Sequence, residues 1–553
     1  METTASVSST MKIPVLIVGA GPVGLALAAE LGRQGIECLL VEQGDGTINH
    51  PRASELNART MEFCRRWGVA DKVRAAGTPK DFPNAALFVT SYSGHELARI
   101  TRPGHAEDRD FPNGPERPKR CNQLWFDPIL ADYVAGLPSI TRRMNCRFES
   151  FTQDETSPQK EGSVSAVLRD MVTGQSETIE ADYLVACCGG HSAIPSAIGV
   201  TLDDTSILDH SVNIFIRAPS LWDQHDKGAA SLNFFIDDEG LWGGMSAQNG
   251  RDLWRLTVHG PRELVARAEA DVDACLERMF GGKFDYEVIS VVTWTRRSWV
   301  AEKYAEKRVF LAGDSAHQCS PTGGFGLNTG MGDAMDLAWK LAATLQGWGG
   351  DKLLASYDAE RRPIGRRNIC EATDNYMRYE MPDTRGINDD TAEGAALRDD
   401  IGRVLRDTRA RQFLSEGLAL GYRYDPSPIC RPDDSVATPD EISTYLPSAR
   451  PGGRAPHFNF VSNRGKNQSI LDAFGDGFVV LLLGEDPPDA GPLTEAAGQR
   501  GVPLRIETIA DPAARELYEC SMALVRPDGH VAWRGNGPPE NPLSLLDLVR
   551  GAG

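Results

Sequence analysis

The sequence predicts an α/β protein. A Rossmann-type nucleotide-binding domain carries an inserted, mainly antiparallel β-sheet domain, followed by a helical connection and a small C-terminal α/β domain. Three observations support this. VLIVGAGPVGLALAAELGRQGIECLLVEQ, near the start, reads as strand, glycine turn, helix and a second strand ending in an acid. Residues 211–299 alternate apolar and polar side chains in long runs, the pattern of a sheet with one covered face. From residue 452 onward, short apolar strands return between helical stretches.

Residues 1–11 are polar and read as a leader outside the fold. The turn Gly19, Gly21 and Gly24 then has a mechanical reason: a tight bend, close approach to a pyrophosphate, and close helix packing. Pro22 and Val23 open the helix, and Glu42 with Gln43 ends the second strand where a ribose would lie. Arg52 and Arg59 follow, positive charges able to meet a phosphate or a ring edge. Residues 81–100 read as two strands around Ser93-Gly94, and Thr101–Lys119 as a Pro- and Gly-rich loop. A helix is expected over Gln123–Val134, with strands near Arg143–Phe151 and Ser163–Asp170. DYLVACCGG then begins as a buried strand. The sheet of 211–299 includes one helix, Pro261–Phe280, and offers Phe234, Trp242, Trp254 and Trp294 as aromatics; Phe234 and Trp242 are the candidate substrate contacts.

The most informative stretch is RVFLAGDSAHQCSPTGGFGLNTGMGDAMDLAWK, Arg308–Lys340. A short strand is followed at once by Asp314, and glycines including Gly323, Gly324 and Gly326 surround Pro321. The backbone there can lie against a flat ligand, and a helix starting near Leu327 and Asn328 aims its N–H groups back at it. That suits a ring that becomes anionic on reduction. Further helices run to about Met377, and residues 378–450 join two units.

Together with PRASELNARTME and QLWFDPIL, these segments resemble the FAD-binding elements of the flavin-dependent aromatic hydroxylases, the para-hydroxybenzoate hydroxylase family of single-component monooxygenases. The resemblance implies FAD held by Gly19, Gly21, Pro22, Val23, Gly24, Glu42, Gln43, Arg52, Gln123, Asp314, Pro321, Gly324, Gly326, Leu327 and Asn328. It places Arg52 and Pro321 nearest the chemistry. It implies that NAD(P)H reduces the flavin, that O2 is captured as a flavin hydroperoxide, and that one oxygen atom enters a phenolic or hydroxypyridine-type ring. The expected domains are 12–80 with 101–200 and 300–377 for FAD, 81–100 with 201–299 for substrate, a connection over 378–450, and 451–553. The last resembles the thioredoxin-like domain of larger members, but with only Cys520 there and Cys430 upstream it reads as structural, a candidate interface that leaves a homo-oligomer open. One departure stands out: the family's DG acid is replaced by Cys188 and its nearby arginine by Pro195.

Composition limits the alternatives. A net charge of −19 argues against nucleic acid or an anionic membrane surface as main partner. No run of about 18 apolar residues is present to span a bilayer. Eleven scattered cysteines fit a reducing cytoplasm, and none shares a zinc-ligand spacing with histidine. Three other readings are weighed: a flavin-dependent halogenase, disfavoured because no WxWxIP segment is present and the local sequence is WTRRSWVAEKY; a flavin oxidase or dehydrogenase without oxygen insertion; and a non-catalytic FAD-binding interaction protein. The base that would deprotonate a phenol is not singled out among His95, His210, His259, Tyr92, Ser54 and Arg52.

Overall fold

The structure is a computed structural model; it describes residues 11–101, 111–153, 162–190, 192–201, 206–378, 382–461 and 467–553. Most of the expected leader, and residues 102–110 of the Thr101–Lys119 loop, lie outside them.

Strand Met11–Val18 is almost wholly apolar and is buried on both faces, as a central parallel strand must be. It pairs in parallel with Ser176–Ala186 on one side and with Cys38–Val41 on the other. The eight-stranded sheet runs Ala305–Glu306, Val309–Leu311, Ser176–Ala186, Met11–Val18, Cys38–Val41, Ile140–Arg143, with the Cys146–Gln153 and Val164–Asp170 hairpin added at Ser176–Ala186. Helices Pro22–Arg33 and Gly326–Leu345 share its main core, so the two glycine-rich turns open at the same end of the sheet.

The second sheet has seven strands in the order Glu287–Arg297, Ile207–Arg217, Leu253–Gly260, Gly240–Ala247, Leu232–Asp237, Ala85–Val89, Glu96–Thr101. Alternation decides its faces. Val212, Ile214, Leu256, Val258, Phe235 and Met245 form an apolar core with the helices Arg262–Ala270 and Val272–Phe280. The single helix expected over Pro261–Phe280 is thus two, broken where Asp271 leaves the helical conformation and caps the second through Ala274 N–H. The opposite, inner face carries Phe215, Arg255, Asn213, Thr257 and Phe234 in register.

The connecting segment holds more structure than its composition suggests. Helix Ala392–Phe413 packs Ile401 and Leu405 against Phe88, Leu97 and Ile236 of the second sheet. The C-terminal unit has a mixed sheet, Leu504–Ile509, Phe478–Leu483, Met522–Val525, Val531–Gly535, the first pair parallel and the others antiparallel. Its hairpin reaches into the first domain, where fully buried Arg526 meets Glu360 at 2.6 Å, Asp336 at 2.9 Å and its own Asp528 at 2.6 Å. Lys340 lies 2.7 Å from Asp336 and 2.6 Å from Glu360. Such a network makes the unit part of one core, because burying these charges separately would be costly. No helix among the described residues is long and apolar enough to cross a membrane.

Candidate active site

The first turn has the shape a dinucleotide needs. Gly19 has φ +106°, and a Cβ there would sit 2.5 Å from the Cys187 carbonyl oxygen; a Cβ on Gly24 would sit 1.9 Å from the Gly19 carbonyl oxygen. Gly21 differs: a Cβ there meets nothing within 4 Å, so protein packing does not demand glycine at that position. Open space above an uncapped helix N-terminus, with Pro22 in the first turn, fits a pyrophosphate. Glu42 accepts hydrogen bonds from Ala20 N–H and Gly44 N–H, both at 3.0 Å, which fixes its carboxylate beside the turn; Gln43 next to it is exposed. Val23 lies within contact of Gly313 and Gly330, joining the first turn to the second.

The second turn is held from behind. Asp333 accepts from Gly313 N–H at 3.1 Å, pairs with His317 Nε2 at 2.7 Å and accepts from Arg361 Nε at 2.9 Å. Burial pushes its carboxyl up, but His317 and Arg361 outweigh this and hold it below the ordinary range. Asp314, the next residue after Gly313, is exposed; its pKa is raised by desolvation, with His317 and Arg52 opposing. Pro321 is also exposed, while Ser320 and Thr322 on either side are buried. The helix beginning at Gly326, with Leu327 in its first turn, has no side-chain cap. The Asn328 side chain is a brace: it donates to the Glu55 and Gly324 carbonyls at 2.9 and 2.8 Å and accepts from Asn57 N–H and Thr60 Oγ. It thereby fixes PRASELNARTME against Gly324.

Gln123 caps this arrangement from the Gln123–Ala135 helix, its backbone N–H on the Ala53 carbonyl and its amide 3.5 Å from Asp127. Asp127 was not legible in the sequence. Burial drives its pKa to about 8 against the opposing pull of Arg52 and Gln123, so its carboxyl is mainly protonated at neutral pH.

The inner face of the second sheet closes the cleft. Arg255 donates to the Pro51 and Arg52 carbonyls at 3.0 and 2.6 Å, its Nε is buried without a partner, and among the described residues no carboxylate lies in ion-pair range. Desolvation, with Arg120 adding repulsion, lowers its pKa to about 10. His50 bonds Ser290 Oγ at 2.8 Å and is pushed to about 4 by burial, Arg255 and Arg52, which leaves it neutral. Arg255 followed from the register: its pairing with Phe215 and Ser246 sets it on the inner face.

The two aromatics singled out as substrate contacts pack into other surroundings. Trp242 lies on the helix-covered face, 5.7 Å from Phe235 and under the Arg278 guanidinium, because the bulge in its strand keeps it with the outer core. Phe234 has the inner-face register but stacks on Phe88 at 4.8 Å and packs toward Phe413, so the connecting helix covers it. Of the proposed bases, Tyr92 is fully buried with its hydroxyl on Met245 Sδ, and His95 lies beside Asp390. Cys188 donates to Ser192 Oγ at 2.8 Å, and burial raises its pKa, so it sits there as a neutral thiol.

A dinucleotide cradle, a glycine-rich turn facing it and a sheet roof with an uncompensated cation define a flavoenzyme acting on a small molecule. The chain belongs to the family of FAD-dependent aromatic-ring hydroxylases: residues 12–372 match the FAD binding domain and residues 448–550 the aromatic-ring hydroxylase C-terminal domain. It binds FAD and is a monooxygenase by class. It is 32% identical to 4-methyl-5-nitrocatechol 5-monooxygenase of a Burkholderia species, over 98% of this chain and 97% of that one. Among solved structures it resembles the rebeccamycin biosynthetic enzyme RebC, solved with bound 7-carboxy-K252c, at TM-score 0.88 and 38% identity over 99% of this chain and all of that one. It also resembles aklavinone-11 hydroxylase with FAD and aklavinone, at TM-score 0.80 and 28% identity over 98% and 99% of the two chains.

Proposed function

We propose that the enzyme consumes NAD(P)H and O2 to hydroxylate an electron-rich aromatic ring bearing an ionisable group, a phenol, a hydroxypyridine or an aromatic carboxylic acid. The observation that carries this is Arg255. A largely desolvated guanidinium with no carboxylate among the described residues, beside Arg52 and a neutral His50, is arranged to receive an anion from the ligand. RebC is described with a ligand named as a carboxy compound and aklavinone-11 hydroxylase with aklavinone, which supports a substrate larger than a simple phenol.

Bound FAD supplies the redox and oxygen-activating chemistry. Gly21 and the helix start at Pro22 would hold its pyrophosphate, Glu42 a ribose, Asp314 the chain leading to the ring, and Pro321 with Gly324 the ring itself. Protonated Asp127 adds no second negative charge beside the cofactor. Arg255 orients the substrate by its anionic substituent, and Phe215 on the same face contributes apolar cover that excludes water. In the balance, two electrons come from NAD(P)H, one oxygen atom enters the ring and the other leaves as water. The free cysteines support a reducing, cytoplasmic setting.

A second reading, oxidation of the ring without oxygen insertion, is favoured by Cys188, which removes the acid that the family resemblance links to nicotinamide. Anaerobic reduction by NADH and by NADPH, with and without a panel of phenols, hydroxypyridines and aromatic acids, tests the first. Acceleration of flavin reduction by a panel member supports it, and absence of reduction by either nicotinamide under all conditions rejects it.

A further inference from the structure

We propose that Arg296 is a positioning residue that sets Pro321 against the bound ring system, and so controls whether activated oxygen reaches the substrate or is lost. This rests on the oxygenase reading above.

Arg296 stands at the end of strand Glu287–Arg297, where the sheet domain rejoins the first domain, and is 4% exposed. Its Nη1 donates to Ser320 Oγ at 3.0 Å and reaches Thr322 Oγ1 at 3.5 Å, while those two hydroxyls lie 2.7 Å apart. The two residues flanking Pro321 are thus buried and tied to one cation, and the proline between them is exposed.

The guanidinium is in turn fixed from two other elements. Asp209, on the neighbouring strand, lies 2.9 Å from Arg296 Nε, and the ring of Tyr376, near the end of helix Ser356–Met377, lies 4.6 Å beneath the cation. Tyr376 donates its hydroxyl to the same Asp209 carboxylate, and His259 stands 3.6 Å from it. The Arg296 Nε contact with Asp209 is close but lacks hydrogen-bond alignment, as expected if the planar fork is oriented by Ser320 and Thr322. Sheet, helix and glycine-rich turn are therefore clamped at one point, and that point determines how Pro321 stands.

The test uses full-length, FAD-loaded protein with Arg296→Met, Arg296→Lys and Tyr376→Phe. Hydrogen exchange read by mass spectrometry reports the backbone over residues 319–324, and NAD(P)H oxidation is divided into hydroxylated product and hydrogen peroxide. Loss of the charged hydrogen bonds in Arg296→Met is expected to speed exchange there by about ten-fold or more. The product-to-peroxide ratio should fall by about five-fold or more while flavin reduction stays within about three-fold, with Arg296→Lys recovering part of the ratio and Tyr376→Phe lying between. Unchanged exchange and an unchanged ratio in Arg296→Met overturn the proposal. So does a parallel loss of reduction and coupling without rescue by lysine, the mark of general damage. If Arg296→Met does not fold, Thr322→Val, which deletes one acceptor, carries the same comparison. If the wild type forms no hydroxylated product, the oxygenase reading has failed, and the exchange result alone decides whether Arg296 clamps the turn.

Discussion

Gly21→Ala separates the needs of the fold from those of the cofactor. Gly21 has φ −71° and ψ −179°, a conformation open to any residue, and its added methyl meets no protein atom within 4 Å. Alanine is a poorer helix N-cap than glycine but less flexible when unfolded, so the two effects, each about 0.5–1 kcal/mol, nearly cancel in the apo-protein. For the cofactor the change is large, because the methyl occupies the space through which a phosphate would reach the helix N-terminus. Losing one such charge-assisted hydrogen bond costs about 1.5–3 kcal/mol, or about 10- to 150-fold in FAD affinity. Titration of apo-protein with FAD by fluorescence quenching gives the affinity, and urea unfolding of the same apo-protein gives the stability. In contrast, Gly24→Ala, whose Cβ would sit 1.9 Å from the Gly19 carbonyl oxygen, should damage the fold itself. A Gly21→Ala protein that binds FAD as tightly as wild type would refute the placement of the pyrophosphate.

Arg526→Met should lower stability by about 3–5 kcal/mol in urea unfolding, because it strands the buried Asp336, Glu360 and Asp528 with Lys340 as the remaining cation bound to Asp336 and Glu360. A change under about 1 kcal/mol would mean that the C-terminal unit is only loosely docked. Arg255→Met should raise KM for an anionic substrate by about ten-fold or more and leave KM for a neutral analogue nearly unchanged, in steady-state kinetics. Asp127, with a folded pKa of about 8, holds a proton in the native state that the unfolded chain has already lost above its ordinary pKa. Asp127's own contribution to apo-protein stability therefore falls as pH rises between about 4 and 8, against the opposite contribution of histidines such as His50 over about 4 to 6.5, and Asp127→Asn should make the stability–pH slope more positive by up to about 1.4 kcal/mol per pH unit; identical slopes would place the proton elsewhere.

Much of this architecture was legible because its signals are local. The turn from Gly19 to Gly24 and the run from Asp314 to Asn328 each carry their geometry in consecutive residues, and both open where expected. Alternation identified the second sheet but not which face each aromatic would take. Trp242 takes the outer face through a bulge and the helix-borne Arg278, both facts of tertiary packing. Phe234 takes the inner face by its register, and its cover by Phe413 comes from a helix in the apparent linker. Asp127 and Arg255 owe their character to burial and missing counter-charges, which depend on segments far apart in sequence. Cys188 was noticed as a departure, and its small neutral side chain fills the site beside Ser192.

The most direct test of oxygen insertion is turnover under 18O2 with NAD(P)H and a panel of phenolic and carboxylated polycyclic aromatics, with products read by mass spectrometry. The account predicts a product carrying one labelled oxygen atom on the ring for each NAD(P)H consumed in coupled turnover. A substrate oxidised without label, with the labelled oxygen recovered as hydrogen peroxide, would contradict it and establish oxidation without insertion.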